Sequence, residues 1–361
     1  MKIFIILGTR PEIIKMSPVI RECIKKRLNF SILHTNQHYS ENLDKVFFKE
    51  LNLPQPKYNL NVGSGTHAEQ TAKILIGVEK ILLKEKPDIV LVEGDTNTVL
   101  AGALAAAKLH IKIGHIEAGL RSYFREMPEE INRILVDHCS DLLFTPTKET
   151  KDILLNEGIL HNKIFVTGNT IIDAVFQNIK LAEKKSKILE KLNLSKRGYF
   201  LMTAHRAENV DNKGKLRGIL KGAEIISKRF RLPVIYPIHP RARKMIKTFK
   251  LKVSYRVRLL EPLGYLDFLK LENSAKLILT DSGGIQEEAC AMQVPCVTLR
   301  DNTERPETIK VGCNLLSGTD PSKILKCVSK MLNKNRKWKN PFGTGTAAKK
   351  IIKIIRRNEK V

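Results

Sequence analysis

The stretch DIVLVEGDTN at residues 88–97 indicates how this chain folds. Its four consecutive aliphatic residues predict a short strand that is buried on both faces, and the polar residues after them predict a loop that leads into a helix. Similar apolar runs, each followed by a longer amphipathic stretch, recur along the whole sequence. This alternation is typical of right-handed βαβ units, which build parallel sheets with helices on both faces.

The predicted strands fall into two successive series. The first series comprises residues 2–7, 31–35, 88–92, 111–115, 141–144 and 163–167. After a charged helix over about 170–192, the second series comprises residues 199–203 and segments near 233–237, 256–259, 276–280 and 295–299. We therefore expect the α/β class, with two Rossmann-like, doubly wound domains whose strand ends face each other across a ligand-binding cleft.

The same pattern sets the expected domain limits. We expect an N-terminal domain at residues 1–170 and a C-terminal domain at residues 171–340. Pro341, together with two glycines that follow it, interrupts the chain before a final basic amphipathic helix. We predict that residues 341–361 form this helix and pack back on the N-terminal domain.

The composition is that of a folded protein without a membrane anchor. Hydrophobic residues make up 42% of the chain and charged residues 28%, which argues against disorder. No apolar run reaches the roughly 18 residues that a membrane-spanning helix needs. The N-terminal sequence MKIFIILGTRPE loses its apolar character at Gly8 and Arg10, as expected of a buried strand rather than a signal peptide. We therefore expect a cytoplasmic protein with no membrane partner.

The charge balance is strongly basic. Lysines and arginines number 63 against 37 aspartates and glutamates, which gives a net charge of +26. Such an excess attracts anions, including nucleic acid and phosphorylated metabolites. Aromatic residues make up only 6% of the chain, and no nucleic-acid-binding motif combines them with the lysines. Nucleic-acid binding therefore remains a minor alternative.

Cysteines and histidines provide no metal motif. The six cysteines form no CxxC pair, and the nine histidines form no HExxH sequence. The sequence therefore predicts reduced cysteines in the core and no metal site.

Acidic side chains follow several predicted strands of the first domain. Asp95 comes after the strand at 88–92, Glu117 comes after the strand at 111–115, and Glu129 opens a helix one loop later. Each acid alone could cap a helix. Because neighbouring parallel strands end at one edge of a sheet, we expect a group of carboxylates there, whose pKa values rise enough for proton transfer near neutral pH.

The second domain places cationic residues and glycines at the corresponding positions. HRAEN at 205–209 follows its first strand, DSGGIQEE at 281–288 follows a later one, and RDNTERPE at 300–307 supplies two arginines. A glycine turn at a helix start lets a phosphate approach backbone amides closely. Taken together, these segments predict a site for a phosphorylated ligand.

Seven segments resemble the non-hydrolysing UDP-N-acetylglucosamine 2-epimerase family, from residue 3 to about residue 312: GTRPEIIKMSP, EGDTNT, HIEAGLRS, MPEEINR, HRAEN, DSGGIQEEA and RDNTERPE. The resemblance implies a GT-B pair of domains, a homodimer, and interconversion of UDP-GlcNAc and UDP-ManNAc without a metal or nicotinamide cofactor. It also implies a route in which elimination of UDP gives a 2-acetamidoglucal, to which UDP adds back.

The resemblance assigns roles to individual residues of this sequence. It implies that the catalytic residues are Asp95, Glu117, Glu129 and His205. It implies that the substrate is bound by Arg10, Lys15, Leu263, Phe268, Ser282, Gly283, Gly284, Glu288 and Arg305. Glu288 would accept hydrogen bonds from the ribose, Phe268 would flank the uracil, and Leu263 would contact the uracil through its backbone.

Bacterial members of the family can also bind a second UDP-GlcNAc as an activator. In this sequence the matching residues are Gln37, His38, Arg206 and His239. However, Glu69 stands where an arginine is expected, and Tyr39 stands where arginine is frequent. A carboxylate that faces a diphosphate is repulsive, so this activation stays open.

Two enzymes of related chemistry remain alternatives. A hydrolysing epimerase would release free ManNAc and UDP. A retaining glycosyltransferase of the same architecture would pass the sugar to an acceptor, but it needs no proton removal at carbon 2, so the clustered acids argue against it.

Overall fold

The structure is a computed structural model, and it describes residues 1–37, 47–334 and 336–358. It consists of two compact units. The first comprises Met1–Ala174 together with Phe342–Val361, and the second comprises Val175–Pro341. Each unit contains a wholly parallel sheet covered by helices, so the predicted α/β class with two Rossmann-like domains is confirmed.

The sheet of the first unit has the strand order β3-β2-β1-β4-β5-β6-β7. Its strands are β1 Lys2–Leu7, β2 Asn29–His34, β3 Tyr58–Asn59, β4 Ile89–Glu93, β5 Lys112–Ile116, β6 Leu142–Thr145 and β7 Ile164–Val166. All six strands predicted for this region are present. The sequence pattern missed β3, because this two-residue strand is too short to show a period and forms only by pairing with the end of β2.

Helices cover both faces of this sheet. Their bounds are Arg10–Lys25, His67–Glu85, Asn97–Lys108, Pro128–Cys139, Lys148–Asn156 and Ala347–Arg357, with a 3-10 turn at His161–Lys163, and residues 47–50 are also helical. Apolar residues of the strands, such as Phe4 and Val90, form one core with Ile74 and Val78 from the helices. Burial of β1 and β4 on both faces explains their nearly unbroken aliphatic sequences.

The second unit repeats the architecture with the strand order β10-β9-β8-β11-β12-β13. Its strands are β8 Phe200–Thr203, β9 Val234–Pro237, β10 Val257–Leu260, β11 Leu277–Thr280, β12 Cys296–Thr298 and β13 Asn314–Leu316. Its helices are Ile188–Lys191, Ala207–Val210, Lys213–Phe230, Pro240–Thr248, Tyr265–Ser274, Gly283–Ala291, Pro306–Lys310 and Pro321–Leu332, and the helix Thr170–Lys185 ends in this unit. The sequence pattern missed the three-residue edge strand β13.

The C-terminal helix Ala347–Arg357 packs against the helix Arg10–Lys25 of the same unit. Ile351, Ile352 and Ile355 are buried, while the lysines of the helix face outward. Asp173 accepts hydrogen bonds from the backbone of Ala347 and Ala348, both at 3.1 Å, and so caps the start of this helix. Among the described residues, no helix is both long and apolar enough to cross a membrane.

Two loops and a helix start meet at the carboxyl end of the first sheet. Thr35, after β2, and Thr98, in the first turn of the helix Asn97–Lys108, form a hydrogen bond of 2.7 Å between their hydroxyl groups. Gly8, after β1, lies directly over this pair, because a Cβ there would come within 2.1 Å of the Thr98 hydroxyl. A side chain at this position would displace both hydroxyl groups, so glycine lets the loop after β1 contact the loop after β2 and the helix that follows β4.

The opposite end of the first sheet contains a buried ion-pair cluster around Glu85. Its carboxylate contacts Lys2 Nζ at 2.7 Å and Lys57 Nζ at 2.8 Å, and it accepts a hydrogen bond from Tyr58. These partners lower the pKa of Glu85 from its ordinary value of 4.5 to about 2. The interaction therefore stabilises the fold above the unfolded pKa, and this stabilisation is lost as the pH falls from about 4.5 towards 2.

We expect Glu85→Gln to lower the free energy of unfolding by about 1 kcal/mol at pH 7. The effect is no larger because Lys57 is exposed, so water screens its attraction to Glu85. The loss should shrink by more than half at about pH 3, where the unfolded wild-type carboxyl is already protonated. Urea unfolding of both proteins at the two pH values measures the difference. An equal loss at both pH values would contradict a charge-based role for Glu85.

Candidate active site

Polar side chains gather at the carboxyl ends of β1, β4 and β5 in the first unit. The three strands are neighbours in the sheet, so the loops that follow them share one edge, as in other doubly wound folds. Glu93 is the last residue of β4 and pairs in register with Ile116, the last residue of β5. Glu117 comes next along the chain, and the sheet therefore places these two carboxyl groups side by side.

Glu117 has an unusual backbone conformation. Its φ angle is 70°, in the left-handed region that side chains rarely adopt. Its N–H donates to the Phe144 carbonyl at 3.1 Å, which fixes the turn. The turn directs the buried carboxylate to Lys15, whose Nζ lies 2.5 Å from Glu117 Oε2. Backbone strain of this kind, held by surrounding contacts, is a frequent feature of functional sites.

Lys15 also contacts the second carboxyl group. Its Nζ lies 3.0 Å from Glu93 Oε1, so one ammonium serves two buried acids. Burial raises the pKa of Glu93 well above its usual range, Lys15 opposes this effect, and the charge of Glu117 adds to it. Burial is the largest cause of this rise, and Glu93 is not among the acids that the sequence predicted to cluster at this edge.

A third acid, Glu12, lies in the same region. Its carboxylate accepts hydrogen bonds from Gly8 N at 2.6 Å and from Thr96 Oγ1 at 2.7 Å, and so joins the loops after β1 and β4. Burial outweighs these hydrogen bonds and raises the pKa of Glu12 from 4.5 to about 7, with a small contribution from the charge of Asp95.

Asp95 is more exposed than these acids and is held by arginine. Its Oδ2 accepts from Arg133 Nε at 2.9 Å and from Arg133 Nη2 at 2.6 Å, and its backbone carbonyl accepts from Asn132. Arg133 also pairs with Glu130 Oε2 at 2.7 Å. The helix Pro128–Cys139 therefore fixes the orientation of Asp95.

Glu129 and Glu130 have different environments in the first turn of that helix. Glu130 is buried and accepts the backbone N–H groups of Ser122 and Tyr123, both at 2.9 Å, so it anchors the loop after β5. Glu129 is half-buried and makes no hydrogen bond or ion pair through its side chain in the described part of the chain. Of the two acids, Glu129 is therefore the one whose carboxylate is open to a ligand.

His115 lies behind the site and holds its loops. Its Nδ1 lies 2.7 Å from Asp137 Oδ1, and its Nε2 lies 2.9 Å from the Gly94 carbonyl oxygen. Arg121 pairs with the other oxygen of Asp137 at 2.7 Å. These contacts connect the loops after β4 and β5, and the histidine is fully buried.

In the second unit, Asp281 organises the loop that follows β8. Its carboxylate accepts the backbone N–H groups of His205 and Arg206, both at 3.0 Å, and the Asn209 side chain at 3.2 Å. His205 Nδ1 lies 3.2 Å from it. Burial alone would raise the pKa of Asp281, but the hydrogen bonds and the nearby His205 lower it below its usual value.

The glycine turn after β11 begins a helix, as the sequence predicted. Ser282 precedes the helix Gly283–Ala291. A Cβ at Gly283 or Gly284 would meet nothing closer than 3.7 Å, so the space beside these amides is open. A helix start with accessible N–H groups is suited to bind a phosphate.

The remaining predicted substrate residues have identifiable positions. Arg305 Nε pairs with Glu287 Oε1 at 2.7 Å, and Arg10 is an exposed residue at the start of its helix. Leu263 and Phe268 pack, partly buried, against the core of the second unit. Glu288 adjoins the fully buried Glu272. The pKa of Glu272 is raised well above its usual range by burial and by the charge of Glu288.

The residues of the expected second site are distributed over both units. In the first unit, Gln37 is buried, and its Oε1 accepts from the Thr98 hydroxyl at 2.9 Å, while His38 and Tyr39 lie outside the described residues. Glu69 accepts from Thr66 N at 3.0 Å and forms a capping box. In the second unit, the rings of His205 and His239 lie 5.8 Å apart.

Sequence reasoning did not single out Glu93, Glu12 or Asp281 as site residues. Each lies in one of the seven quoted segments, but only burial and partners from other segments distinguish it from an ordinary turn residue. Among residues 1–37, 47–334 and 336–358, no group of three or more histidine, cysteine, aspartate or glutamate side chains could hold a metal ion.

Comparisons with known proteins agree on one family. The family model for UDP-N-acetylglucosamine 2-epimerase matches residues 21–356. The chain is 59% identical to the UDP-N-acetylglucosamine 2-epimerase of Methanocaldococcus jannaschii over 98% of this chain and 99% of that protein. It is 41% identical to the UDP-2,3-diacetamido-2,3-dideoxy-D-glucuronate 2-epimerase of Pseudomonas aeruginosa, over 98% and 99% of the two chains.

A solved structure gives the same result. The crystal structure of the M. jannaschii UDP-GlcNAc 2-epimerase in complex with UDP-GlcNAc and UDP has a TM-score of 0.90 and covers 99% of this chain and 100% of that chain.

The hydrogen bonds to Asp281 predict that Asp281→Asn loosens the loop after β8. The amide cannot accept all of the N–H groups that the carboxylate accepts, which should cost about 2 kcal/mol of local stability at pH 7. Because the pKa of Asp281 is lowered, the difference from wild type should shrink as the pH falls below the ordinary aspartate value.

Hydrogen–deuterium exchange of the amides at residues 203–210 measures this effect. Asp211→Asn serves as the control, since Asp211 follows the same segment, is exposed and pairs through its side chain with the exposed Arg241. Unchanged protection in Asp281→Asn would contradict the role given to Asp281.

Proposed function

The chain belongs to the UDP-N-acetylglucosamine 2-epimerase family, and we propose that it interconverts UDP-N-acetylglucosamine and UDP-N-acetylmannosamine by inverting carbon 2 of the sugar. The reaction releases no free sugar. We further propose that it works as a homodimer, as the resemblance implies, and that it is located in the cytoplasm, as the N-terminal sequence suggests.

The chemistry of carbon 2 explains why carboxyl groups are needed. This carbon has no adjacent carbonyl group, so its proton is only weakly acidic. When the C1–O bond breaks, UDP takes the electron pair and carbon 1 becomes electron-poor. A carboxylate then removes the carbon 2 proton, and a C1=C2 double bond forms in 2-acetamidoglucal. Protonation of carbon 2 on the opposite face and attack of a UDP oxygen on carbon 1 give the epimer.

We assign the proton transfers to Asp95, Glu117 and Glu129 together. Glu117 and Asp95 follow neighbouring strands and are held by Lys15 and Arg133, respectively. Glu129 leaves its carboxylate open at the start of the helix that positions Asp95. Such a set can supply a proton acceptor on one face of the sugar and a donor on the other, and negative charge near carbon 1 stabilises the developing cation.

The nucleotide requires cations and backbone amides. We propose that Arg10, Lys15, His205 and Arg305 bind the diphosphate, together with the amides of Ser282, Gly283 and Gly284. Glu288 accepts hydrogen bonds from the ribose hydroxyls, Phe268 flanks the uracil, and Leu263 contacts it through its backbone. A helix start and several cations together stabilise the charge that UDP gains on leaving.

One observation carries the proposal: the carboxylate of Glu117 is held beside Lys15 by a strained left-handed turn at the carboxyl edge of the first sheet. A retaining glycosyltransferase has no need for an acid so positioned, because it leaves carbon 2 unchanged. A hydrolysing epimerase shares the first elimination and differs in its products.

A second UDP-GlcNAc site, formed by Gln37, His38, Arg206 and His239, is also proposed. Arg206→Ala should then change a sigmoidal dependence of rate on UDP-GlcNAc into a hyperbolic one. A hyperbolic dependence of the wild-type rate on UDP-GlcNAc would contradict the second site and would leave the proposed active site unaffected.

Incubation with UDP-GlcNAc in deuterium oxide tests the main proposal. We expect deuterium at carbon 2 and formation of UDP-ManNAc, followed by NMR. Glu117→Gln should lower the exchange rate by at least about 100-fold while UDP still binds. Glu79→Gln, an exposed residue of the helix His67–Glu85, is the control and should keep the wild-type rate.

The products and the substrate range discriminate the alternatives. Free ManNAc as the main product would indicate a hydrolysing epimerase, and the absence of exchange under all conditions would reject both epimerases. Competition between UDP-GlcNAc and a UDP-linked diacetamido uronic acid tests which sugar the enzyme prefers. Binding of the uronate carboxylate requires a cationic side chain, and binding of UDP-GlcNAc does not.

A further inference from the structure

Glu93 is a buried acid at the candidate site to which the family resemblance assigns no role. Only 1% of its surface is exposed, and its neighbour Glu117 is 8% exposed. The register of β4 with β5 places the two residues beside each other. The inference about Glu93 rests on the proposed function, since Glu117 is one of the acids assigned to proton transfer.

The charges around Glu93 do not balance if every group is ionised. Lys15 and Glu12 face it from the helix Arg10–Lys25, and Glu117 faces it from the loop after β5. Three carboxylates and one ammonium would leave an excess of two negative charges in a water-poor region, which is costly. Protons must therefore be retained within this group.

The contacts indicate which acid keeps a proton next to Lys15. Glu117 Oε2 forms a hydrogen bond of 2.5 Å with Lys15 Nζ. Glu93 Oε1 lies 3.0 Å from the same nitrogen, but the alignment is too poor for a hydrogen bond. The ammonium therefore favours the ionised form of Glu117, and the more deeply buried Glu93 is the acid that stays neutral.

We propose that Glu93 is a positioning residue: its protonated carboxyl group donates a hydrogen bond to Glu117 and, together with Lys15, holds Glu117 as a carboxylate oriented for proton transfer at carbon 2.

This arrangement couples proton transfer to departure of the nucleotide. Before the reaction, the charges of Lys15 and Glu117 cancel, and Glu93 is neutral. When the C1–O bond breaks, UDP gains one negative charge and the carbon 2 proton moves to Glu117. Glu93 keeps its own proton throughout. The charge of Lys15 is then no longer neutralised by Glu117 and becomes available to the departing diphosphate.

Two substitutions of Glu93 separate its roles. Glu93→Gln keeps a neutral hydrogen-bond donor of the same size, so we expect kcat for carbon 2 exchange to stay within about 3-fold of wild type at pH 7. Glu93→Leu removes the donor and should lower kcat by about 30-fold or more, with little change in KM. If Glu93 acts as an ionised partner of Lys15, both variants should lose activity to a similar extent, which would overturn the inference.

The pH profile provides a readout that packing alone does not change. Ionisation of Glu93 at alkaline pH would place a second negative charge beside Glu117 and remove its hydrogen bond, so the wild-type rate should decline there. This alkaline decline should be absent in Glu93→Gln. Glu85→Gln is the matched control, because Glu85 is a buried glutamate with lysine partners that is already ionised, and its substitution should leave the profile unchanged.

Infrared spectroscopy tests the protonation of Glu93 without reference to catalysis. The wild-type minus Glu93→Gln difference spectrum at pH 7 should contain the carbonyl stretch of a protonated carboxylic acid, shifted in deuterium oxide, and the wild-type minus Glu85→Gln spectrum should lack it. This measurement needs no stable Glu93→Leu protein.

The combined results distinguish a failure of the proposed function from a failure of the inference about Glu93. If the wild type shows the protonated band but no carbon 2 exchange, the proposed function fails while the neutral Glu93 stands. If the wild type exchanges carbon 2 but the band is missing, or if Glu93→Gln is as inactive as Glu93→Leu, the inference about Glu93 is wrong.

Discussion

The cost of burying charge at the carboxyl edge of the first sheet determines most features of its candidate site. Parallel strands end side by side, so the acids that follow them are close together whether or not water can reach them. Lys15 lies between Glu93 and Glu117 and compensates for one of the two charges. The other charge is avoided by keeping a proton, and a carboxyl group that holds or exchanges a proton near neutral pH is what chemistry at carbon 2 requires.

The balance between burial and hydrogen-bond donors sets the pKa of each buried acid, and burial prevails at Glu12, whose pKa is about 7 although two groups donate to it. Asp281 receives backbone and side-chain N–H groups, and Glu85 receives two lysines and a tyrosine, so both have lowered pKa values in spite of burial. At Glu93 and Glu272 burial has the largest effect, and both have pKa values raised well above the usual range. Asp281 and Glu85 hold a loop and strand ends as carboxylates, whereas Glu93 and Glu272 lie next to Glu117 and Glu288, the acids that we assign to the substrate.

In the proposed reaction the loops of the two units have different tasks. The first unit carries the acids to which we assign the proton transfers, and the contacts of Arg133 and His115 fix Asp95 and the loop after β4. The second unit carries the histidine loop held by Asp281 and the open helix start after Ser282. A common fold thus supports either task, and the side chains at the strand ends decide which one it performs.

The amino-acid sequence by itself determined the α/β class, the two strand series and the motifs that define the family, because these depend on local periodicity and on residue order. It could not reveal the short edge strands at Tyr58 and Asn314, which form only by pairing with a neighbour. Nor could it distinguish Glu93 from a plain strand end, since the partner Lys15 lies far away in the chain and only the folded sheet brings both to Glu117. Ionisation depends on burial and on such distant partners, and the tertiary structure alone sets both.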